Sequence, residues 1–214
     1  CYDPQTREVE RRYKPRKPLR SLASDKNGVI WFAGYGGGLY CTEDLFRTVK
    51  PFLDADGREI YPQDIISFIC LSDYNEMYLG LEERGVAKVD LVSGTVTRLR
   101  LSDNPDAPLF VRHILPYSPE ELWIGTESGI VVYNVRTRRY QHLKSSPYDP
   151  YSLSDNAVYS LCKDREGGLW IGSFFGGINY LPQRNSDFEK YYHTDDPHSL
   201  QGRRVREILS LIHI

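Results

Sequence analysis

One pattern occurs four times along this chain, and its anchor aromatics, Trp31, Tyr78, Trp123 and Trp170, are spaced 47, 45 and 47 residues apart. The stretch Leu19–Trp31 (LRSLASDKNGVIW) aligns without a gap on Val158–Trp170 (VYSLCKDREGGLW). Val111–Trp123 fits the same frame, and so does Ile66–Tyr78, with a phenol in place of the indole. Two positions after each anchor stands a small residue: Ala33, Gly80, Gly125 and Gly172. Glycine returns six or seven positions after the anchor, at Gly37 and Gly38, Gly85, Gly129, and Gly176 and Gly177. A steady period over most of a chain means stacked copies of one supersecondary unit.

Each unit reads as four short strands. In the last unit Val158–Lys163 is the first, Leu169–Ser173 the second, Gly177–Leu181 the third and Phe188–His193 the fourth. Asp164-Arg-Glu-Gly167 joins the first two, and Asp25-Lys-Asn-Gly28 does the same in the first unit. Asp favours the first position of a tight turn and Gly the last. No stretch sustains a helical period. Repeats of this length with four antiparallel strands predict an all-β fold, a β-propeller of about four four-stranded blades with partial blades at both ends. Strand-bearing solenoid repeats are usually shorter, and a sandwich would not repeat its turns in register. Propeller blades bury both faces. The anchor ring can therefore wedge between neighbours, and the small residue two places on sits where a larger side chain has no room.

The predicted division is 1–17 as the end of a preceding blade, then blades at 18–62, 63–108, 109–155 and 156–202. Residues 203–208 read as the start of another blade. The beginning of the chain, Tyr2–Tyr13, resembles the third-strand end, turn and fourth strand at Tyr133–Tyr140. Residues 209–214 resemble the peptide encoded by a transposase adapter used in sequencing libraries, and are expected to be an artefact; a genuine strand start is the other reading. The expectation is a piece cut from a larger ring, whose open sheet edges would destabilise it or drive association.

Charge is nearly balanced, 27 Lys+Arg against 29 Asp+Glu, and no basic stripe argues for nucleic acid. The longest apolar run, Ile65–Leu71, is strand-sized and too short to span a membrane. Asp3, Arg7, Glu8 and Arg11 stand where a signal peptide would need an apolar core. Four cysteines, Cys1, Cys41, Cys70 and Cys162, show no metal-ligand spacing and read as small buried hydrophobes. Sixteen Tyr and three Trp supply many amphipathic rings, which suit sheets, interfaces and sugar contacts.

The run Leu169-Trp-Ile-Gly-Ser-Phe-Phe-Gly-Gly-Ile178, preceded by Asp164-Arg-Glu-Gly167, resembles the two-component regulator propeller repeat. Leu122-Trp-Ile-Gly-Thr-Glu-Ser-Gly-Ile130 is a second copy, and Ile30-Trp-Phe-Ala-Gly-Tyr-Gly-Gly-Gly-Leu39 a third, with Ala33 at a usual Gly. The linkers Asp149–Asn156 and Asp196–Leu200 fit the same family, and the unit around Tyr78 departs most. The resemblance implies the extracytoplasmic sensor region of a hybrid two-component histidine kinase. It further implies a periplasmic setting in an inner-membrane receptor, other blades and a second propeller of the same chain as partners, and a homodimer. The ligand it implies is an oligosaccharide or another small molecule, with no cofactor and no catalysis in this segment.

In a propeller the links between strands two and three, and those between blades, gather on one face around the axis. Those positions name Tyr35, Arg84, Arg112, Glu127, Tyr159, Phe174 and Phe175 as candidate ligand contacts. Tyr35 and Phe175 would stack on sugar, and Arg84 and Arg112 would bind acidic or hydroxyl groups. Loop filling and inter-blade packing compete with that reading at every position. His193–His198 holds metal-capable side chains but reads as a solvated linker, and Asp54-Ala-Asp-Gly57 as a turn rather than a calcium loop. Two other functions stay open. A propeller-fold glycan lyase or hydrolase would need a poised acid and base, for which Glu82, Glu83 and Glu127 lack an evident partner. A protein-interaction scaffold needs no site at all.

Overall fold

The computed structural model describes residues 2–3, 5–9, 13–72, 75–104, 107–149 and 151–183. Strands β1 (Tyr2–Asp3) and β2 (Glu8–Val9) form a short antiparallel pair. Three four-stranded antiparallel sheets follow. The first holds β3 (Leu19–Ser24), β4 (Ile30–Gly34), β5 (Tyr40–Thr42) and β6 (Lys50–Pro51). The second holds β7 (Ile66–Leu71), β8 (Glu76–Leu81), β9 (Gly85–Asp90) and β10 (Val96–Arg98). The third holds β11 (Val111–Pro116), β12 (Glu121–Thr126), β13 (Gly129–Asn134) and β14 (Tyr140–Leu143). The last sheet pairs β15 (Val158–Lys163), β16 (Leu169–Ser173) and β17 (Ile178–Leu181). Its predicted fourth strand lies outside the described residues, as do the linker 193–198 and residues 203–214.

Within each sheet, strands lie side by side in chain order, and no helix occurs among the described residues. The sheets stack as propeller blades. The first strands are the innermost and touch in series, β3 against β7, β7 against β11 and β11 against β15. The anchor aromatics face one another's neighbours through three separate hydrophobic cores. Trp31, Ala33 and Leu39 of the first blade pack with Ile66, Ile69, Met77 and Leu79 of the second. Tyr78 and Val86 of the second meet Ile114, Leu122 and Ile124 of the third. Trp123 and Ile130 of the third meet Val158, Leu161, Leu169 and Ile171 of the fourth.

This arrangement accounts for the glycine after the second and third anchors. A Cβ on Gly80 would stand 2.8 Å from Val111 Cγ1, and one on Gly125 would stand 3.0 Å from Val158 Cγ1. In both cases the obstacle belongs to the first strand of the next blade.

The repeat's Asp does two jobs at once. Asp25 Oδ1 accepts the amides of Asn27 and Val29 at 2.9 Å, while its Oδ2 accepts the Trp31 indole N–H at 3.3 Å. Asp164 repeats this with the amides of Glu166 at 3.0 Å and Gly168 at 2.7 Å, and with the Trp170 indole at 3.1 Å. One carboxylate thereby fixes both the hairpin and the rotamer of the wedge. In the third blade Tyr117 occupies the Asp position, and the buried Trp123 indole nitrogen has no partner. Tyr117 compensates from outside: its hydroxyl donates to the Gly167 carbonyl of the next blade at 2.8 Å, and Lys163 Nζ lies 4.4 Å from its ring centre.

Two expectations need correction. Trp31, Tyr78 and Trp123 are buried, but Trp170 is 46% exposed, because no described blade covers that face. Its ring rests on Tyr180, 4.7 Å away between centroids. Cys162 lies on the same open face and is exposed rather than buried, and Cys41 and Cys70 are half-buried. The stretch Asp54–Gly57 is a turn: Asp54 Oδ1 caps the amides of Asp56 at 3.0 Å and Arg58 at 2.8 Å.

Candidate functional site

Every first strand carries a bulge at the same place. Pairing with the second strand skips one residue between Leu19 and Ser21, Ile66 and Phe68, Val111 and His113, and Val158 and Ser160. The extra residues are Arg20, Ser67, Arg112 and Tyr159. A bulge bends its strand and re-aims a side chain out of the ladder. Here the re-aimed side chain swings toward the loop that leaves the second strand. The residue it meets lies fifteen positions further on: Tyr35 for Arg20, Glu127 for Arg112 and Phe174 for Tyr159. In the second blade the short Ser67 cannot reach Glu82. It instead donates to the carbonyl of Gly80 at 3.1 Å or of Val111 at 2.7 Å, stitching two blades together.

Glu82 is therefore left for the neighbouring blade. Arg112 Nη1 lies 3.6 Å from Glu82 Oε1, and its Nε donates to Glu127 Oε1 at 3.0 Å while Nη2 contacts the same oxygen. Burial disfavours the Arg112 charge, but the hydrogen bond and charge of Glu127, with help from Tyr159 and Glu82, outweigh it and hold the guanidinium pKa above its ordinary value. Tyr159 donates its hydroxyl to Glu127 Oε1 at 3.3 Å, and its ring centre lies 5.2 Å from the guanidinium. The ring also faces Phe174 at 5.1 Å, and Phe174 meets Phe175 edge-on at 4.5 Å. Phe175 is 86% exposed. Its amide is fixed by Asp155 Oδ2 at 3.0 Å, so the ring projects from a pinned backbone.

Five of the seven predicted residues thus meet in one cluster across two blades: Arg112, Glu127, Tyr159, Phe174 and Phe175. Glu82 joins them from a third blade. The other two stand apart. Tyr35 accepts a 2.6 Å hydrogen bond from Arg20 in the first blade, with the guanidinium 5.3 Å from its ring centre. Arg84 pairs with Asp64 at 3.2 Å. Chemically, the cluster places two carboxylates around one guanidinium beside a wall of aromatic rings. That combination can accept hydroxyl hydrogen bonds and stack on an apolar ring face; its net charge disfavours an acidic group. A separate cleft of about 380 Å³ opens at the opposite ends of the second and third blades. Leu71, Tyr78, Pro116 and Glu121 line it, together with Glu76, which Lys88 holds at 2.5 Å. Sequence reasoning did not point to it.

Residues 152–175 match the family described as two component regulator propeller. That segment carries the two component regulator propeller repeat. The matched segment runs from the inter-blade linker through Phe175 and contains three members of the cluster. A stretch of 178 residues, 79% of the chain, is 31% identical to histidine kinase P4 of Formosa agariphila, and spans 12% of that kinase. Among solved structures it resembles the extracellular domain of the one-component-system protein BT4673 from B. thetaiotaomicron, with a TM-score of 0.69 and 19% identity over 86% of this chain and 24% of that one. It also resembles the extracellular domain of the hybrid two-component-system protein BT3049 from the same organism, with a TM-score of 0.54 and 16% identity over 94% of this chain and 32% of that one. At these identities the structural likenesses establish the fold. The chain spans less than a third of each structure and about an eighth of the kinase. What it shares with the solved structures is the propeller fold.

Proposed function

We propose that this regulator propeller is a ligand-sensing segment of a bacterial two-component receptor, set on the periplasmic side of the inner membrane, and that the cluster around Arg112 receives a neutral saccharide. One observation carries the reading: Phe175, 86% exposed on a pinned loop, stands at the end of a chain of contacts through Phe174 and Tyr159 to the Glu127 carboxylate. An aromatic platform next to hydroxyl-accepting carboxylates is the usual equipment for holding a sugar ring. Because Glu82 and Glu127 both engage one guanidinium, neither is arranged as a separate acid or base across a scissile bond, and a hydrolase gains no support. Oligosaccharide arrays probed with the whole chain should identify a neutral binder. Phe175→Ala and Glu127→Gln should then each weaken it about tenfold, or about 1.4 kcal/mol. Undiminished affinity in both variants removes the cluster from the site. Products appearing on prolonged incubation would move the protein to the enzymes.

A further inference from the structure

The second blade departs from the other three at one bulged residue, and that departure sets the charge of the Arg112 cluster. Three bulges carry long side chains, Arg20, Arg112 and Tyr159, and each meets the residue fifteen positions further on. The second blade has Ser67 at its bulge, and fifteen positions further on stands Glu82. Ser67 is 7% exposed, and its hydroxyl lies 3.1 Å from the Gly80 carbonyl and 2.7 Å from the Val111 carbonyl. Gly80 stands two residues before Glu82, and Val111 immediately precedes Arg112. The hydroxyl therefore sits between the strand that leads to the carboxylate and the strand that carries the guanidinium. Its short stem leaves Glu82 with no partner on its own bulge. Among the described residues the cation that meets Glu82 is Arg112, 3.6 Å away across the blade boundary. The two side chains are 15% and 22% exposed, so salt screens the pair less than it would an open surface pair.

The consequence is electrostatic. Arg112 already engages Glu127 of its own blade through Nε and Nη2. With Glu82 added, two carboxylates share one guanidinium. A long cationic side chain at position 67 would change that balance. Following the pattern of the third blade, it would take Glu82 for itself, and each carboxylate would then have its own cation. Selectivity can come from an element that repels the wrong ligand as well as from one that attracts the right one. We infer that Ser67 sets the specificity of the Arg112 cluster: by staying short it hands Glu82 to Arg112, and the surplus carboxylate turns away saccharides that bear a carboxylate or sulfate. This rests on the saccharide reading of the cluster and names the residue behind its preference for uncharged sugars. Ser67 acts through Glu82, so it is a positioning residue.

The test has two arms, both on the whole chain. The first follows the Arg112 Nε–H resonance by NMR without ligand. Glu82→Gln should move that resonance in the parent and in Ser67→Ala, which is still short. It should leave the resonance nearly still in Ser67→Arg, where Glu82 has been captured. Ser67→Gln, long but uncharged, replaces Ser67→Arg in this arm if the arginine does not fold. The second arm compares arrays of matched neutral and uronic-acid-bearing oligosaccharides. Ser67→Arg should raise the ratio of acidic to neutral binding about tenfold over the parent. Val92→Arg, which adds the same charge on an 81% exposed turn between β9 and β10, should leave the ratio unchanged. A parent that binds no oligosaccharide sinks the saccharide reading, and the resonance then decides the role of Ser67 alone. The inference is overturned if Glu82→Gln moves the resonance equally in the parent and the long variants, or if Ser67→Ala uncouples it. It is also overturned if an uncoupled Ser67→Arg keeps the parent's ratio.

Discussion

At the scale of single residues, the repeat is held by a division of labour between a carboxylate and a missing side chain. Asp25 closes a turn and orients the wedge, so Asp25→Ala leaves the Trp31 indole N–H, 6% exposed, without its acceptor. The expected loss is about 1–3 kcal/mol, read as a lower urea midpoint at unchanged slope. Gly125→Val tests the other half. The added bulk meets Val158 of the next blade, backbone oxygen included, and should cost about 1–3 kcal/mol or more through overpacking. The third blade shows how far the motif tolerates change. It gives up the carboxylate, leaves the Trp123 nitrogen unpaired, and uses the displaced Tyr117 as a tie to Gly167 instead.

At the scale of the strand, β11 joins the Arg112 cluster to a half-buried imidazole. His113 follows Arg112 directly, and its ring lies 4.4 Å from that of Phe68 in the preceding blade. Burial pushes its pKa below the ordinary value. The unfolded chain therefore takes up a proton at a higher pH than the folded one. The sign is fixed: the contribution is complete above the unfolded value near 6.5 and is lost as pH falls below it. Urea midpoints measured between about pH 7.5 and pH 5.5 should drop for the parent, and His113→Leu should flatten that slope. How much was legible beforehand also divides at this scale. Strand order, turns and wedges followed from the four aligned copies, because local chemistry repeats with them. The bulges did not, since Arg20, Ser67, Arg112 and Tyr159 share no residue type and a register slip leaves no composition signature. For the same reason the sequence offered Arg112 to acidic or hydroxyl groups of a ligand, whereas the fold hands it two carboxylates.

At the scale of the whole molecule, the cores lie between blades rather than within them. Leu79 belongs to the second blade but packs in one cluster with Trp31 and Leu39 of the first. Leu79→Ala should cost about 2–5 kcal/mol. It should also reduce amide-exchange protection in β4 and β8 together while sparing β16, as expected where neighbours stabilise one another through nearest interfaces. Loss confined to β8 alone would show that each sheet stands by itself. The face carrying Trp170, Tyr180 and Ile178 is the counterpart of those interfaces with no described partner on it.

The fixed offset of fifteen positions between a bulged side chain and its loop neighbour separates two kinds of change. Interior residues answer to the adjoining vane, so they can vary only in concert. The outward pairs of the third and fourth vanes are tied to each other, and the third to the second, through Arg112, Glu127, Tyr159 and Glu82. A change at Arg112 or Glu127 is therefore felt in the adjoining vanes as well, and the rim of the rotor varies as a shared belt rather than one vane at a time.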